Sequence, residues 1–295
     1  MSNDLSFSHP DADIFVPDFE TREVLTPREA LARTTHLCIV SHQDDIEIAA
    51  YHGIAECFQN PEKWFSGVVV TDGASSPRKG PYSHFTDEEM RTVRKIEQRK
   101  AAFIGEYSCC LQLAHPSRDV RDFEAPQVRA DLRQIIEIAK PDVLYIHNPA
   151  DKHDTHVATL MRCIEAIRLI PQRADRPKKV YGCEVWRNLD WVFDDDKIVL
   201  PVDKYVNIAA ALVGVFDSQI TGGKRYDLAT EGRGQANATY WQPRDTDSAE
   251  ALTWAMDLTA LVEDDDLTVE EHTLGFINRF KEDVFAKIRK YSGPE

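Results

Sequence analysis

The chain has 295 residues, 42% hydrophobic and 29% charged, with a formal net charge of −15 at pH 7. This suits a globular protein that buries its own core without staples, and the acidic balance argues against broad nucleic-acid or anionic-membrane binding. No run approaches the ~18 apolar residues of a membrane span, no targeting segment opens Met1–Phe7, and six cysteines without C-x-x-C spacing read as reduced core thiols, so a cytoplasmic location is expected.

Residues 1–34, punctuated by Pro10, Pro17 and Pro27, read as an irregular lead-in with a short helix near 28–32. A first strand at 35–41 gives way to a helix at 46–58, and a second strand at 65–71 ends in the turn-rich stretch 72–77. Thr86-Asp87-Glu88-Glu89 has capping-box spacing and opens a helix reaching about 106. A third strand at 110–114, a helix at 126–140, a fourth strand at 143–146 and a helix at 155–170 continue the alternation. Beyond 177 come strands at 180–186 and 198–202 and helical segments near 204–219, 248–263 and 273–291. A polar, glycine-bearing stretch at 221–247 reads as a loop over a site. The rhythm specifies an α/β fold, Rossmann-like, with a mostly parallel sheet and helices on both faces. A single domain is expected over 35–295, with its core at 35–170 and a C-terminal elaboration at 177–295.

The chemistry concentrates where the first strand ends, at Ser41-His42-Gln43-Asp44-Asp45-Ile46-Glu47. In a doubly wound order 3-2-1-4 the first and fourth strands are neighbours, and ligands bind beyond their carboxyl ends. That topology brings His42, Asp44 and Asp45 beside His153 and His156. His42, Asp45 and His156 then form a set of imidazole and carboxylate ligands suited to zinc, with one coordination position left open. Two adjacent aspartates divide the labour: one binds metal while its neighbour takes the proton of an attacking water. His153 is placed to stabilise an oxyanion or to protonate a leaving amine. Amide hydrolysis is the simplest reaction such a set performs. Taken alone, an Asp-Asp pair is more often a solvated helix start, and a His-x-x-His pair is a weak metal signal. Their joint placement at two adjacent strand tips is what carries weight. His147 lies close to the site without an assigned role.

These segments resemble the PIG-L/LmbE-like family of zinc-dependent N-deacetylases, which act on N-acetylglucosamine conjugates. His42-Gln43-Asp44-Asp45-Ile46-Glu47 resembles its H-P-D-D-x-E signature, and His153-Asp154-Thr155-His156 its H-x-D-H. Val70-Thr71-Asp72-Gly73, Arg94-Lys95-Ile96-Glu97 with Ala101, Ala102 and Gly105, and Asp217-Ser218-Gln219 are similar to further family segments. The resemblance implies His42, Asp45 and His156 as zinc ligands, Asp44 as general base and His153 as oxyanion-stabilising residue or acid. Another divalent first-row metal satisfies the same ligands. Three positions depart from the pattern. Gln43 replaces a proline, Thr155 replaces the aspartate that would orient His153, and Phe216 stands where a late histidine would fall. Asp154, Asp72 or another acid would then have to take over the orienting role, and Glu47 is expected to support the site from the first helix.

The expected substrate is a small molecule, an N-acetylated sugar conjugate, with Asp72, Arg78 and Arg94 as candidate contacts; a surface ion pair explains Arg94 equally well. Neither nucleic acid nor a membrane is expected as a partner, and homo-oligomerisation is left open. Two other functions compete. A metal phosphohydrolase is disfavoured by histidine ligands, because Mg²⁺ prefers oxygen. A non-catalytic sugar- or nucleotide-binding module is the other, although no G-x-G-x-x-G follows the first strand.

Overall fold

The side chains of residues 37–40 alternate between two buried faces. Leu37 and Ile39 enter one apolar cluster, Cys38 and Val40 the other. Such a strand must be covered on both sides. The computed structural model describes residues 5–18 and 24–292 and shows how this is done. Its strands are β1 (Asp13–Phe15), β2 (His36–Val40), β3 (Phe65–Thr71), β4 (Cys109–His115), β5 (Val143–His147), β6 (Lys179–Cys183), β7 (Lys197–Pro201) and β8 (Leu252–Asp257). They form one sheet in the order β1-β4-β3-β2-β5-β6-β8-β7. The run from β4 to β6 is parallel, while β1, β8 and β7 join antiparallel at the two edges. The four strands read as 3-2-1-4 are β4, β3, β2 and β5, so the expected α/β fold and its central order are observed.

Helices Pro126–Ala139 and Asp154–Arg168 cover one face through Leu132, Ile135, Ile136, Leu160 and Ile164. Asp45–Ala49, Asp87–Ile104 and Val206–Gly214 cover the other through Ile46, Ala49, Ala101, Ala102 and Leu212. Each fully buried Leu or Ile is worth about 1.5–3 kcal/mol over its exposed state, so the two faces together fix the register of the parallel strands. All six cysteines are buried and unpaired. No helix among the described residues is long and apolar enough to cross a membrane.

Several expectations need correction. The lead-in is not wholly irregular, since β1 pairs with β4 through Asp13, Ile14 and Phe15; residues 1–4 and 19–23 of it lie outside the described residues. The helix expected at 46–58 is broken at Ala50 into Asp45–Ala49 and Tyr51–Cys57, and the one near 204–219 into Val206–Gly214 and Asp217–Ile220. The 248–263 segment instead holds β8, inserted between β6 and β7, with only the short helix Ala260–Glu263 at its end. There pairing on both sides and burial of Trp254 outweigh the helix propensity of Ala251, Ala255 and Met256. The 221–247 loop contains the helix Tyr226–Thr239, stabilised by packing of Ala238 in the core despite Gly232 and Gly234.

Candidate metal centre and active site

β2 and β5 are hydrogen-bonded neighbours, so their carboxyl ends open on the same crevice. Ser41 ties the two halves together. Its hydroxyl meets Thr159 Oγ1 at 2.7 Å and donates to Thr155 O, while its N–H donates to His147 Nε2 at 2.9 Å. Immediately after it, Asp44 adopts a left-handed backbone (φ 87°), a conformation that short polar Asp tolerates better than most residues. This sharp entry turns His42 and Asp45 toward the helix Asp154–Arg168.

The result is a convergence of ligand atoms. His42 Nδ1 lies 3.1 Å from Asp45 Oδ2 and 3.1 Å from His156 Nε2, and His156 Nε2 lies 3.2 Å from Asp45 Oδ2. Ligand atoms on a tetrahedral ion with bonds of about 2.0–2.2 Å stand about 3.3–3.6 Å apart, so this spacing needs only a small opening to hold one. Two overlapping clusters with metal-ligand potential occur here, His42–His153–His156 and Asp45–His147–His156. The charge balance supports the fit. Burial opposes a charged His156, yet Asp45 and Asp151 raise it to about 9. Burial likewise works against an ionised Asp45, but His156 and His42 hold it well below the usual carboxylate range. The cluster demands positive charge, and a divalent cation supplies it. The residues present therefore fit such an ion.

The surrounding groups are arranged around this trio. Asp151 receives His153 N–H on Oδ1 at 2.9 Å and Trp186 N–H on Oδ2 at 3.1 Å. Its Oδ1 also faces His156 Nδ1 at 3.5 Å, an ion-pair contact too long and poorly aligned for a good hydrogen bond. His147 stacks on His156 with ring centroids 3.8 Å apart, and burial keeps it neutral with Nε2 engaged by Ser41. His153 caps the helix: its Nδ1 accepts Thr155 N–H at 3.2 Å. In the neutral ring that leaves Nε2 carrying the proton, and burial lowers the pKa of His153, so the neutral form is favoured. The backbone amide of Thr155 thus orients His153 where a carboxylate was expected.

Asp44 is buried beside the trio, and burial raises its pKa against the pull of Arg94. Its N–H donates to Gln98 Oε1 at 3.3 Å, and Arg94 Nη2 stands 3.5 Å from Oδ1 while bonding Gln43 O. Arg94 Nε and Nη1 are buried and have no protein partner. Glu47 is buried further in, accepting from Tyr107 and Gln98, and burial pushes it up to about 7. Gln43 turns away from the site to Gln112, and Gly73, with φ 72°, leaves the room its amide needs.

A cavity of about 500 Å³ opens above the trio, lined by His42, Asp44, Asp45, Arg94 and His153 among others. Three expected residues lie elsewhere. Asp72 binds Arg91 and Ala74 N–H and faces a different cavity. Arg78 is tied to Ala74 O, Phe85 O and Asp87. Asp154 is exposed in the first helical turn. Phe216 is buried with the Arg94 guanidinium 6.0 Å from its ring, and Gln219, three residues on, reaches the cavity wall. Sequence reasoning missed Asp151, although its position two residues before His153 is the spacing of an Asx turn that opens a helix. It also missed Trp186 and Lys224 on the cavity wall, where they join Tyr226.

Residues 37–167 match the family described as PIG-L: GlcNAc-PI de-N-acetylase. Comparison with curated proteins finds no match. Among solved structures, an N,N'-diacetylchitobiose deacetylase from Pyrococcus horikoshii is 17% identical, covers 78% of this chain and 85% of its own, and superposes with a TM-score of 0.58. The 4-carboxy-2-hydroxymuconate hydratase of Pseudomonas putida is 15% identical, with coverage of 76% and 96% and a TM-score of 0.57. The zinc-inhibited form of a teicoplanin deacetylase is 16% identical, with coverage of 75% and 97% and a TM-score of 0.51. At this identity the structural likeness establishes the fold: a mixed α/β architecture with a mostly parallel eight-stranded sheet. The family match covers residues 37–167, the segment that holds His42, Asp44, Asp45, His153 and His156.

Proposed function

We propose that this protein is a divalent-metal-dependent N-deacetylase, with zinc as the metal, acting on an N-acetylated amino sugar or a related small conjugate. The observation that carries the reading is the meeting of His42 Nδ1, Asp45 Oδ2 and His156 Nε2 within 3.1–3.2 Å, beside the Asp44 carboxylate, on a cavity wall. His42, Asp45 and His156 would hold the ion, which when bound would supply Lewis acidity for an amide carbonyl oxygen and for water. Asp44 takes a proton from that water. Its raised pKa suits a base that must later give the proton up, and Arg94, 3.5 Å from Oδ1, pulls the other way and favours the carboxylate form. His153 donates from Nε2 toward the developing oxyanion or the departing amine nitrogen, with Thr155 N–H fixing its tautomer.

The hydratase among the similar structures keeps a second reading in view, because one fold hosts several chemistries. Acetate release separates the two. Metal-loaded protein incubated with N-acetylglucosamine conjugates is expected to liberate acetate and a primary amine in equal amounts. Hydration of a carbon–carbon double bond without any acetate would overturn the deacetylase assignment.

A further inference from the structure

The helix Val269–Tyr291 is well capped and lightly held. Thr268 Oγ1 accepts Glu271 N–H at 3.1 Å, and the Glu271 carboxylate accepts Thr268 N–H in return. Of its 23 residues only Phe276 is buried. His272 Nε2 donates to Asp257 O at 2.8 Å, Arg279 pairs with Asp196, and Phe280 meets Trp191 edge-on. None of these anchors lies beyond Phe280, the middle of the helix. From Lys281 to Tyr291 every residue is exposed except Asp283 and Val284, which are half-buried.

A helix so placed is at ease in water when its free surface is polar. This one carries an apolar stripe instead. Leu274, Ile277, Val284, Ile288 and Tyr291 follow one another at steps of three, seven, four and three residues, and Lys281 stands in the gap. Steps of three and four in alternation are the spacing of a coiled-coil seam. Leu274, Ile277, Ile288 and Tyr291 are 45–79% exposed, and the exposed rings of Phe280 and Phe285 flank them. Helical geometry sets this stripe roughly 140° round from Phe276, His272 and Arg279, so it is not the face that meets the core. It forms a patch on the order of several hundred Å², the size that ordinarily marks an interaction site.

The charges on the helix identify the partner. Glu270 and Glu271 stand in its first turn, Arg289 and Lys290 in its last. Arg289 and Lys290 have no carboxylate partner among the described residues and rest against the rings of Phe285 and Tyr291. We propose that a second copy of this chain docks here, the two Val269–Tyr291 helices packing antiparallel about a two-fold axis. Each acidic first turn then lies beside a basic last turn, one symmetry satisfies both ends, and the macrodipoles oppose. Within the seam, Ile277 of one copy faces Ile288 of the other, and Leu274 faces Tyr291. Lys281 is the single charged residue of the seam, a device that favours one register and one oligomeric state. An anionic membrane suits the surface less well, because Glu270, Glu271, Glu282 and Asp283 share the helix in a chain of net charge −15. The stripe is smaller than the ~800 Å² per partner of a standard interface, so the dimer is expected to be reversible.

Sedimentation velocity on the full chain over the micromolar range is expected to show a concentration-dependent shift from one chain mass to two. Ile277→Glu/Ile288→Glu is expected to hold the protein monomeric while near-UV circular dichroism shows the core intact. Both positions are exposed, so the fold does not depend on them. Arg289→Glu/Lys290→Glu is expected to weaken the dimer at least about tenfold, and adding Glu270→Lys/Glu271→Lys to restore it. A parallel pair would not be rescued in this way, because like ends would still meet. A monomer at every concentration, or an assembly that survives Ile277→Glu/Ile288→Glu, overturns the proposal, as does a dimer indifferent to the charge reversal. Flotation with phosphatidylcholine–phosphatidylserine vesicles tests the competing occupant. Vesicle binding by a monomer, lost in Ile277→Glu/Ile288→Glu, would assign the helix to a membrane surface and overturn the dimer.

Discussion

Asp151 Oδ1 stands 3.5 Å from His156 Nδ1, with both side chains fully buried. At that distance the carboxylate acts on the ring through charge more than through a hydrogen bond, favouring a proton on Nδ1 and leaving Nε2 free for a candidate metal. Asp151→Asn keeps an acceptor for the His153 N–H but loses the charge. Metal affinity, measured by competition with a chelator, is expected to fall 10–100-fold with the fold intact. Unchanged affinity would mean that Asp151 serves only to anchor the loop through His153 and Trp186.

Asp44 supplies a cleaner separation of binding from chemistry. Asparagine tolerates its left-handed backbone, so Asp44→Asn leaves the turn in place. Acetate release is expected to drop by about 10²–10⁴ while metal content stays at the wild-type level. Loss of metal together with activity would instead make Asp44 a ligand.

Glu184 tests the architecture rather than the site. Its buried carboxylate gathers Leu189 N–H at 2.6 Å, Trp254 N–H at 2.9 Å, Asn237 Nδ2 at 3.0 Å and Thr253 Oγ1 at 3.2 Å. It thereby joins the end of β6 to β8 and to the helix Tyr226–Thr239. Glu184→Gln turns one acceptor oxygen into a donor facing donors, and it is expected to cost roughly 2–3 kcal/mol in denaturant unfolding. A loss below about 0.5 kcal/mol would show that these donors find other partners.

The sequence made the central fold legible because β2, β3, β4 and β5 are short apolar runs separated by amphipathic helices, a pattern few other architectures share. His42, Asp44, Asp45, His153 and His156 were legible for the same reason, since strand order alone predicts which tips meet. Edge and partner effects were not legible. Nothing local in Leu252–Asp257 announces that it will be sandwiched between β6 and β7, and Asp13–Phe15 becomes a strand only because β4 offers it an edge. Charged contacts were hardest to read. Arg78 and Asp72 satisfied each requirement of a substrate contact except direction, and direction is set by their ion pairs with Asp87 and Arg91 on the following helix.

His36 carries the last prediction, a pH dependence remote from the candidate metal ligands. Burial, reinforced by nearby Lys63 and His52 against Glu56 and Asp142, lowers its pKa from 6.5 to about 4. The folded protein therefore binds this proton more weakly than the unfolded chain does. The stability this gives is fully present above about pH 6.5 and is lost as pH falls toward 4. A shift of this size corresponds to about 3 kcal/mol. His36→Gln cannot titrate, so between pH 7 and pH 4 its urea midpoint is expected to fall less than that of the wild type, by an amount equivalent to about 3 kcal/mol. His52 and the other depressed histidines contribute equally to both proteins, and the difference isolates His36. Parallel midpoint curves for wild type and variant would show that His36 ionises in the folded state at its ordinary pH.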